Sequence, residues 1–387
     1  MTDLARILAL WRELDSAAAD YVLATVVAVE GPSYRKPGAL MLLTADGRRV
    51  GTISGGCLEA QVASRAWWLT ANGPTVQNYS TAEDDGDRPY GSGCGGIVTL
   101  LLERSTTAKP ILQALAEAFE RRVPLSIATV IEGTRLGERA FAGPALSVGR
   151  HSATTAENRI DSLQALADRS FSTCHSLAGI VDESGLHHRA WTDYRTARPA
   201  LWIFGAGDDA VPLLLLAREL GWFVSVADGR SHLATRDRFP TADSLSVLPI
   251  ADLPGAAMDR LLPPFDGIQP QDAAIVMTHS FEQDAKILAS LLAREVRPAY
   301  VGVLGPQRRT RELLGEAASL LQFPAAATAS TADQWLAELH APTGLDLGGD
   351  SPETIALCIL AEIQKVRTAA SGLPLRTVRS AAITLAV

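Results

Sequence analysis

The sequence predicts an α/β protein, with a doubly wound parallel sheet in the C-terminal half and a mixed α+β domain before it. Two observations carry this. A glycine turn stands between an apolar strand and a helix, and further strands alternate with helical patterns behind it. Leu201-Trp202-Ile203-Phe204 is the strand, Gly205-Ala206-Gly207-Asp208-Asp209-Ala210 the turn, and about Asp209 to Leu220 the helix, closed by Gly221. This is GxGxxA in its required setting, a Rossmann-type loop. Gly205 permits the tight turn, Gly207 lets a phosphate approach the backbone, and Ala210 lets helix and strand pack closely. Phe223 to Ala227 forms the next strand and ends at Asp228, near the spacing expected of an acid that accepts from a ribose hydroxyl. Further strands are expected at Ala273–Met277 and Ala299–Val303. Ligands bind beyond the strand ends of such sheets, which singles out Asp228, Thr278-His279-Ser280 and Gly305-Pro306. Asp208 and Asp209 suit the helix dipole but would repel a phosphate there. Arg230, Arg308 and Arg309 are either its countercharges or solvated surface.

In the first half, Asp3 to about Ala19 reads as a helix and Tyr21 to Val29 as a buried strand ending in the turn Glu30-Gly31-Pro32-Ser33. Ala39–Thr44 is a second strand, Asp46-Gly47 a hairpin turn, Ala60–Ala71 a helix and Ile97–Leu102 a further strand. Ile127-Ala128-Thr129-Val130-Ile131-Glu132-Gly133 echoes the strand at Leu23 and its Glu30-Gly31 exit. Residues 122–150 are therefore either a degenerate repeat or a chance likeness of two valine-rich strands. Trp191–Pro199 reads as a linker. The expected division is 1–105, a middle region 106–198, and 199–387.

Composition narrows the function classes. Of 387 residues, 47 % are hydrophobic and 20 % charged, the balance of a folded domain protein. The net charge of −8 argues against nucleic acid as a partner, since phosphate backbones need clustered Lys and Arg. No apolar run approaches the ~18 residues that would span a bilayer, and the first residues lack a signal-peptide core. Four cysteines, Cys57, Cys94, Cys174 and Cys358, make no disulfide framework, so a cytoplasmic setting is expected.

Two of those cysteines are embedded in glycine: Gly55-Gly56-Cys57 and Gly93-Cys94-Gly95-Gly96. Free cysteines are often small buried hydrophobes, and that reading stays open. Glycine flanks expose side chains, however, and two such loops point to a shared thiol site. Two thiolates cannot close a tetrahedral zinc site, whereas carrying sulfur or binding a soft metal suits them. The loop Glu30–Gly38, with Arg35 and Lys36, could hold an anion or be a solvated turn. His340 to Asp350 is a glycine-rich loop before a helix capped by Ser351-Pro352, a ligand-loop candidate that includes Gly344.

Taken in order, these motifs resemble the XdhC/CoxI accessory proteins of molybdenum hydroxylases. The likeness rests on the Glu30–Gly38 loop, Ser54-Gly55-Gly56-Cys57-Leu58-Glu59, Gly93-Cys94-Gly95-Gly96, Phe204-Gly205-Ala206-Gly207, Asp228, Thr278-His279, Tyr300-Val301-Gly302 and His340-Ala341-Pro342-Thr343-Gly344-Leu345-Asp346. It implies a cytoplasmic homodimer that binds a molybdopterin-type molybdenum cofactor, alone or as its cytosine dinucleotide. Such a protein would assist sulfuration with a cysteine desulfurase and hand the cofactor to an apo molybdenum hydroxylase, such as xanthine or carbon monoxide dehydrogenase. Cys57 and Cys94 would carry the chemistry, with Gly55, Gly56, Gly93, Gly95, Gly205, Gly207, Asp228, His279, Gly305 and Gly344 around the ligand. Members are sometimes labelled xanthine dehydrogenase, yet this sequence has none of the iron–sulfur cysteine motifs of that enzyme. Asp208 stands where many relatives have histidine, and Gly229 where they have proline. Two other functions remain: an NAD(P)-dependent oxidoreductase, favoured by the glycine loop and Asp228, and a metal- or redox-binding protein using Cys57 and Cys94.

Overall fold

The computed structural model describes residues 2–80, 96–144, 161–183, 186–252 and 265–378. The chain forms two compact units, Met1–Arg198 and Pro199–Val387.

The first unit opens with helix α1 (Asp3–Ser16), strands β1 (Tyr21–Glu30), β2 (Leu40–Thr44) and β3 (Arg49–Gly51), helix α2 (Glu59–Leu69), and strands β4 (Thr75–Ser80) and β5 (Ile97–Arg104). These strands make an antiparallel sheet of order β3-β2-β1-β5-β4. Helix α3 (Ser105–Arg121) leads to β6 (Leu125–Glu132), β7 (Arg139–Ala142), α4 (Asp161–Thr173), β8 (Ala178–Glu183) and β9 (Leu186–Arg195), whose strands pair in the order β7-β6-β9-β8. Trp191 to Arg195 is thus the end of a central strand and not a linker. Alternation along β1 divides its side chains between two cores. Val22, Ala24 and Val26 meet Val62 and Ala66 of α2, while Tyr21 and Leu23 meet α1 and α3. Leu125, Ile127 and Phe141 of the second sheet join that same α1–α3 layer. A buried bidentate pair, Glu103 on β5 with Arg139 on β7, ties the sheets together; Arg139 Nη1 donates to Glu103 Oε1 at 2.9 Å.

The topological likeness reaches further than residues 122–150. The order β6-β7-α4-β8-β9 reproduces β1-β2-α2-β4-β5 with the same antiparallel pairings. Both central strands carry a bulge near their ends, between Val26 and Ala28 and between Val130 and Glu132.

The second unit runs β10 (Ala200–Phe204), α5 (Ala210–Glu219), β11 (Phe223–Asp228), β12 (Ser244–Val247), β13 (Ala273–Val276), α6 (Phe281–Leu292), β14 (Tyr300–Val303), α7 (Gln307–Leu320), α8 (Ala325–Glu338) and α9 (Pro352–Thr368). Its strands are all parallel, in the order β12-β11-β10-β13-β14. Both faces of the sheet are covered, so its strands read as continuous apolar runs. Trp202 and Phe204 pack toward α6, α7 and α8, while Leu201 and Ile203 pack toward α5 and α9. This is the doubly wound sheet expected from the sequence. Among the described residues, no helix is long and apolar enough to cross a membrane.

Candidate functional site

In the first unit the antiparallel pairing gathers several strand ends at one end of the sheet. β1 ends at Glu30 opposite Ile97, where β5 begins, and Ser80 of β4 faces the same residue. The loop 31–39 and the segment after Gly51 leave from this edge, where β4 also ends and β5 begins. A Cβ on Gly55 would stand 2.8 Å from the Tyr34 ring, and one on Gly96 would stand 2.3 Å from the Pro32 carbonyl oxygen. Loop 30–38 therefore touches both Gly55 and Gly96. Cys94, Gly93 and Gly95 lie outside the described residues.

Cys57 is exposed at the tip of a loop organised around one carboxylate. Glu59, the first residue of α2, is buried and accepts from the amides of Ile53, Ser54, Gly55 and Gly56 at 3.0, 2.9, 3.2 and 3.0 Å. The Ser54 hydroxyl donates to it at 2.7 Å and accepts from Leu58 N at 2.9 Å. Gly55 and Gly56 have φ of +104° and +119°, in the left-handed region that lets successive amides converge on one anion. Burial would raise the carboxyl pKa, but the Ser54 hydroxyl and the surrounding amides outweigh it and hold Glu59 at about 2. The carboxylate is consumed within the protein and the thiol faces outward. An exposed sulfur donor of this kind suits a soft metal or the carriage of sulfur. From sequence, Glu59 stands only as the last residue of the Ser54–Glu59 motif, with no role of its own. The glycine run before it is the signal that it does more.

In the second unit, four predicted residues gather at the strand ends. Gly205 has φ +136°, and a Cβ there would lie 2.4 Å from the Met277 carbonyl oxygen, so only glycine fits. Ala206 N donates to Asp228 Oδ2 at 2.8 Å. Arg230 adds N and Nε to Oδ1 at 2.8 and 2.9 Å and Nη2 to Oδ2 at 2.7 Å. Burial again opposes ionisation, but the Arg230 pairing and the amides keep the Asp228 pKa lowered. With four bonds on two oxygens and no exposure, Asp228 has no position left for a ribose hydroxyl. It staples the glycine loop to β11. Above Gly207, where the glycine loop predicts a phosphate, stands the carboxylate of Asp209; a Cβ on Gly207 would meet its Oδ1 at 2.6 Å. Asp209 Oδ2 lies 2.9 Å from Nε2 of His279, whose backbone is left-handed at φ +60°. Asp208 points outward and pairs with Arg238 at 2.8 Å. Of the suggested countercharges, Arg230 is tied to Asp228, and Arg309 to the buried Asp284 at 2.7 Å. Arg308 is exposed beside Glu312 at 3.2 Å.

Gly305, with φ +114°, follows β14 and lies beside Arg309. Gly344 is held differently. Glu362 of α9 accepts from Gly344 N at 2.7 Å and Tyr300 OH at 2.6 Å, with His340 Nδ1 at 3.1 Å. Burial and the Glu362 bond push the Tyr300 hydroxyl pKa up, and the His340 ring stacks on Tyr300 at 4.1 Å. A Cβ on Gly344 would lie 3.2 Å from Cys358 Cβ. The His340–Asp346 motif is therefore pinned to the sheet through Glu362, a residue that sequence reasoning does not single out.

Comparison with known proteins gives these features their relatives. Residues 201–363 match the family described as the XdhC Rossmann domain, and residues 15–80 match the XdhC and CoxI family. The chain is 31 % identical over 352 residues to a probable xanthine dehydrogenase subunit of Bacillus subtilis (strain 168), covering 89 % of this chain and 93 % of that one. It is 26 % identical over 357 residues to the molybdenum cofactor insertion chaperone PaoD of Escherichia coli (strain K12), covering 89 % and 83 %. The fold matches the crystal structure of a xanthine dehydrogenase from Bacillus halodurans with a TM-score of 0.68 at 28 % identity, over 95 % of this chain and 96 % of that one.

Proposed function

The chain belongs to the XdhC and CoxI family, and on that premise we propose that it is an accessory factor that binds the molybdenum cofactor and delivers it to an apo molybdenum hydroxylase. The observation that carries the reading is the exposed Cys57 thiol on its carboxylate-centred loop, a donor suited to a soft metal or to sulfur. When bound, the cofactor supplies the molybdenum centre that the recipient enzyme uses. The protein's own part is to present a thiol, to border it with the Glu30–Gly38 loop, and to shield the ligand. Cys94, from the neighbouring segment, is proposed to share the site. A cysteine desulfurase is the proposed sulfur donor, and a cytoplasmic homodimer the proposed working form. An NAD(P)-dependent reaction is disfavoured, because Asp228 is saturated and Asp209 occupies the space over Gly207.

The test is retention of isolated molybdenum cofactor by the purified chain on gel filtration, with bound molybdenum counted. The native chain should retain it, and Cys57→Ala should lose most of it while unfolding at the same temperature. Full retention by both Cys57→Ala and Cys94→Ala would remove the thiol assignment.

A further inference from the structure

We propose that the cleft between the first turn of α1 and the Glu30–Gly38 loop is a phosphate site; in the reading above, on which this rests, it takes the phosphate arm of the bound cofactor. The cleft is open and has a volume of about 440 Å³, within the range of small-molecule sites. Arg6, Arg35 and Arg195 line it. They come from α1, from the loop after β1 and from the end of β9, so only the fold assembles them.

Their partners leave a surplus of positive charge. Arg6 and Arg35 share one carboxylate, Asp3, at 2.7 and 3.0 Å, while Arg195 pairs with Asp193 at 2.7 Å. Three guanidiniums thus face two carboxylates. Asp3 also accepts from the Thr52 hydroxyl at 3.1 Å, and Arg195 Nη2 donates to the Gly38 carbonyl at 2.6 Å. A guanidinium has five N–H donors, and these bonds use only some of them. A local excess of arginine is notable in a chain of net charge −8, where a random patch would repel an anion. Planar forks match the oxygens of a phosphate two at a time, which a lysine cluster would not do. The N-terminus of α1, whose cap residue Thr2 makes no side-chain hydrogen bond to it, strengthens the same positive potential. Apolar walls from Ile7 and Leu40 reduce competition from water. The cleft also communicates with the thiol loop, since Asp3 holds Thr52, which precedes the Ile53–Gly56 amides gathered on Glu59. An anion that draws Arg35 away from Asp3 would act on both.

Calorimetric titration of the full chain with pyrophosphate and with inorganic phosphate at low salt tests the cleft, alongside cofactor retention. Arg35→Ala should weaken pyrophosphate binding by roughly tenfold or more, as expected for a charge-assisted contact. Arg35→Lys should restore only part, and Arg49→Ala, which removes an exposed charge from β3, should change nothing. Tighter binding of pyrophosphate than of phosphate points to a dinucleotide ligand, and the reverse to a terminal monoester. Equal affinity in native and Arg35→Ala protein, or an equal loss in Arg49→Ala, overturns the site. If native and Arg35→Ala chains retain the cofactor equally, the cofactor's phosphate arm does not lie in the cleft and the cofactor reading stands. If Arg35-dependent pyrophosphate binding occurs without cofactor retention, the cleft stands and the cofactor reading fails.

Discussion

The two sheets of the first unit share a topology but not their loops. In one, β4 and β5 are joined by residues 81–96, which include Cys94; in the other, β8 and β9 are joined by residues 184 and 185 alone. The first places Cys57 ahead of α2, while the stretch between β7 and α4 contains no cysteine. Both keep the central bulged strand and its Glu-Gly exit, at Glu30-Gly31 and Glu132-Gly133. The sheet and its helix are thus one scaffold in two versions, and the thiol site proposed above is an addition to one rim. Changes in the second copy should cost stability and leave the thiol site alone; changes at the first rim should do the opposite.

The largest effect is expected where the copies meet. Arg139→Ala leaves the fully buried Glu103 without its partner, which costs about 3–5 kcal/mol in urea unfolding. Both sheets should lose protection together in hydrogen exchange. Separate losses would mean that the copies are independent and the pairing incidental.

Next comes pH. The Glu59 carboxyl ionises at about 2 in the folded chain against an ordinary 4.5, so its contribution is fully present above pH 4.5 and disappears as pH falls toward 2. That difference corresponds to about 3 kcal/mol. Urea unfolding between pH 6 and 3 should show a decline that Glu59→Gln flattens, and alkylation of Cys57 should change in rate in that variant. A decline of the same slope in Glu59→Gln would remove Glu59 from the centre of the loop.

Two glycine substitutions then separate scaffold from rim. A Cβ on Gly133, at φ +110°, would lie 2.1 Å from Nδ1 of the buried His188, so Gly133→Ala should cost about 2–3 kcal/mol without altering cofactor retention. In Gly55→Ala the nearest atoms to the new Cβ belong to the exposed Tyr34 ring, which can move aside. It should cost about 1 kcal/mol of backbone strain while weakening retention. The reverse pattern of losses would break the division between scaffold and site.

The parallel sheet was legible because both of its faces are covered. Leu201–Phe204 and Ala273–Val276 are continuous apolar runs, and Gly205 marks the turn. Strand β9 was hidden by composition. His188, Thr192 and Asp193 are polar yet buried, so the alternation that identifies a strand is disguised. Within the site, the exposure of Cys57 could be anticipated from its glycines. The role of Asp228 could not: spacing fixes where an acid stands, whereas its bonds to Ala206 and Arg230 depend on tertiary contacts. Arg195 was invisible for the same reason, since it reaches the Gly38 carbonyl only across the paired sheets.

Helix α9 has a consequence for the order of synthesis. It covers the face of the parallel sheet formed by Leu201 and Ile203, yet it follows them by most of the unit's length. On a ribosome adding roughly 5–20 residues per second, that apolar face waits on the order of ten seconds for its cover. Until Ile359, Leu360 and Ile363 arrive, the nascent sheet offers a sticky surface to chaperones and to other nascent chains. A chain stopped short of Pro352 should therefore be recovered in aggregates, even though every strand of the sheet has been made.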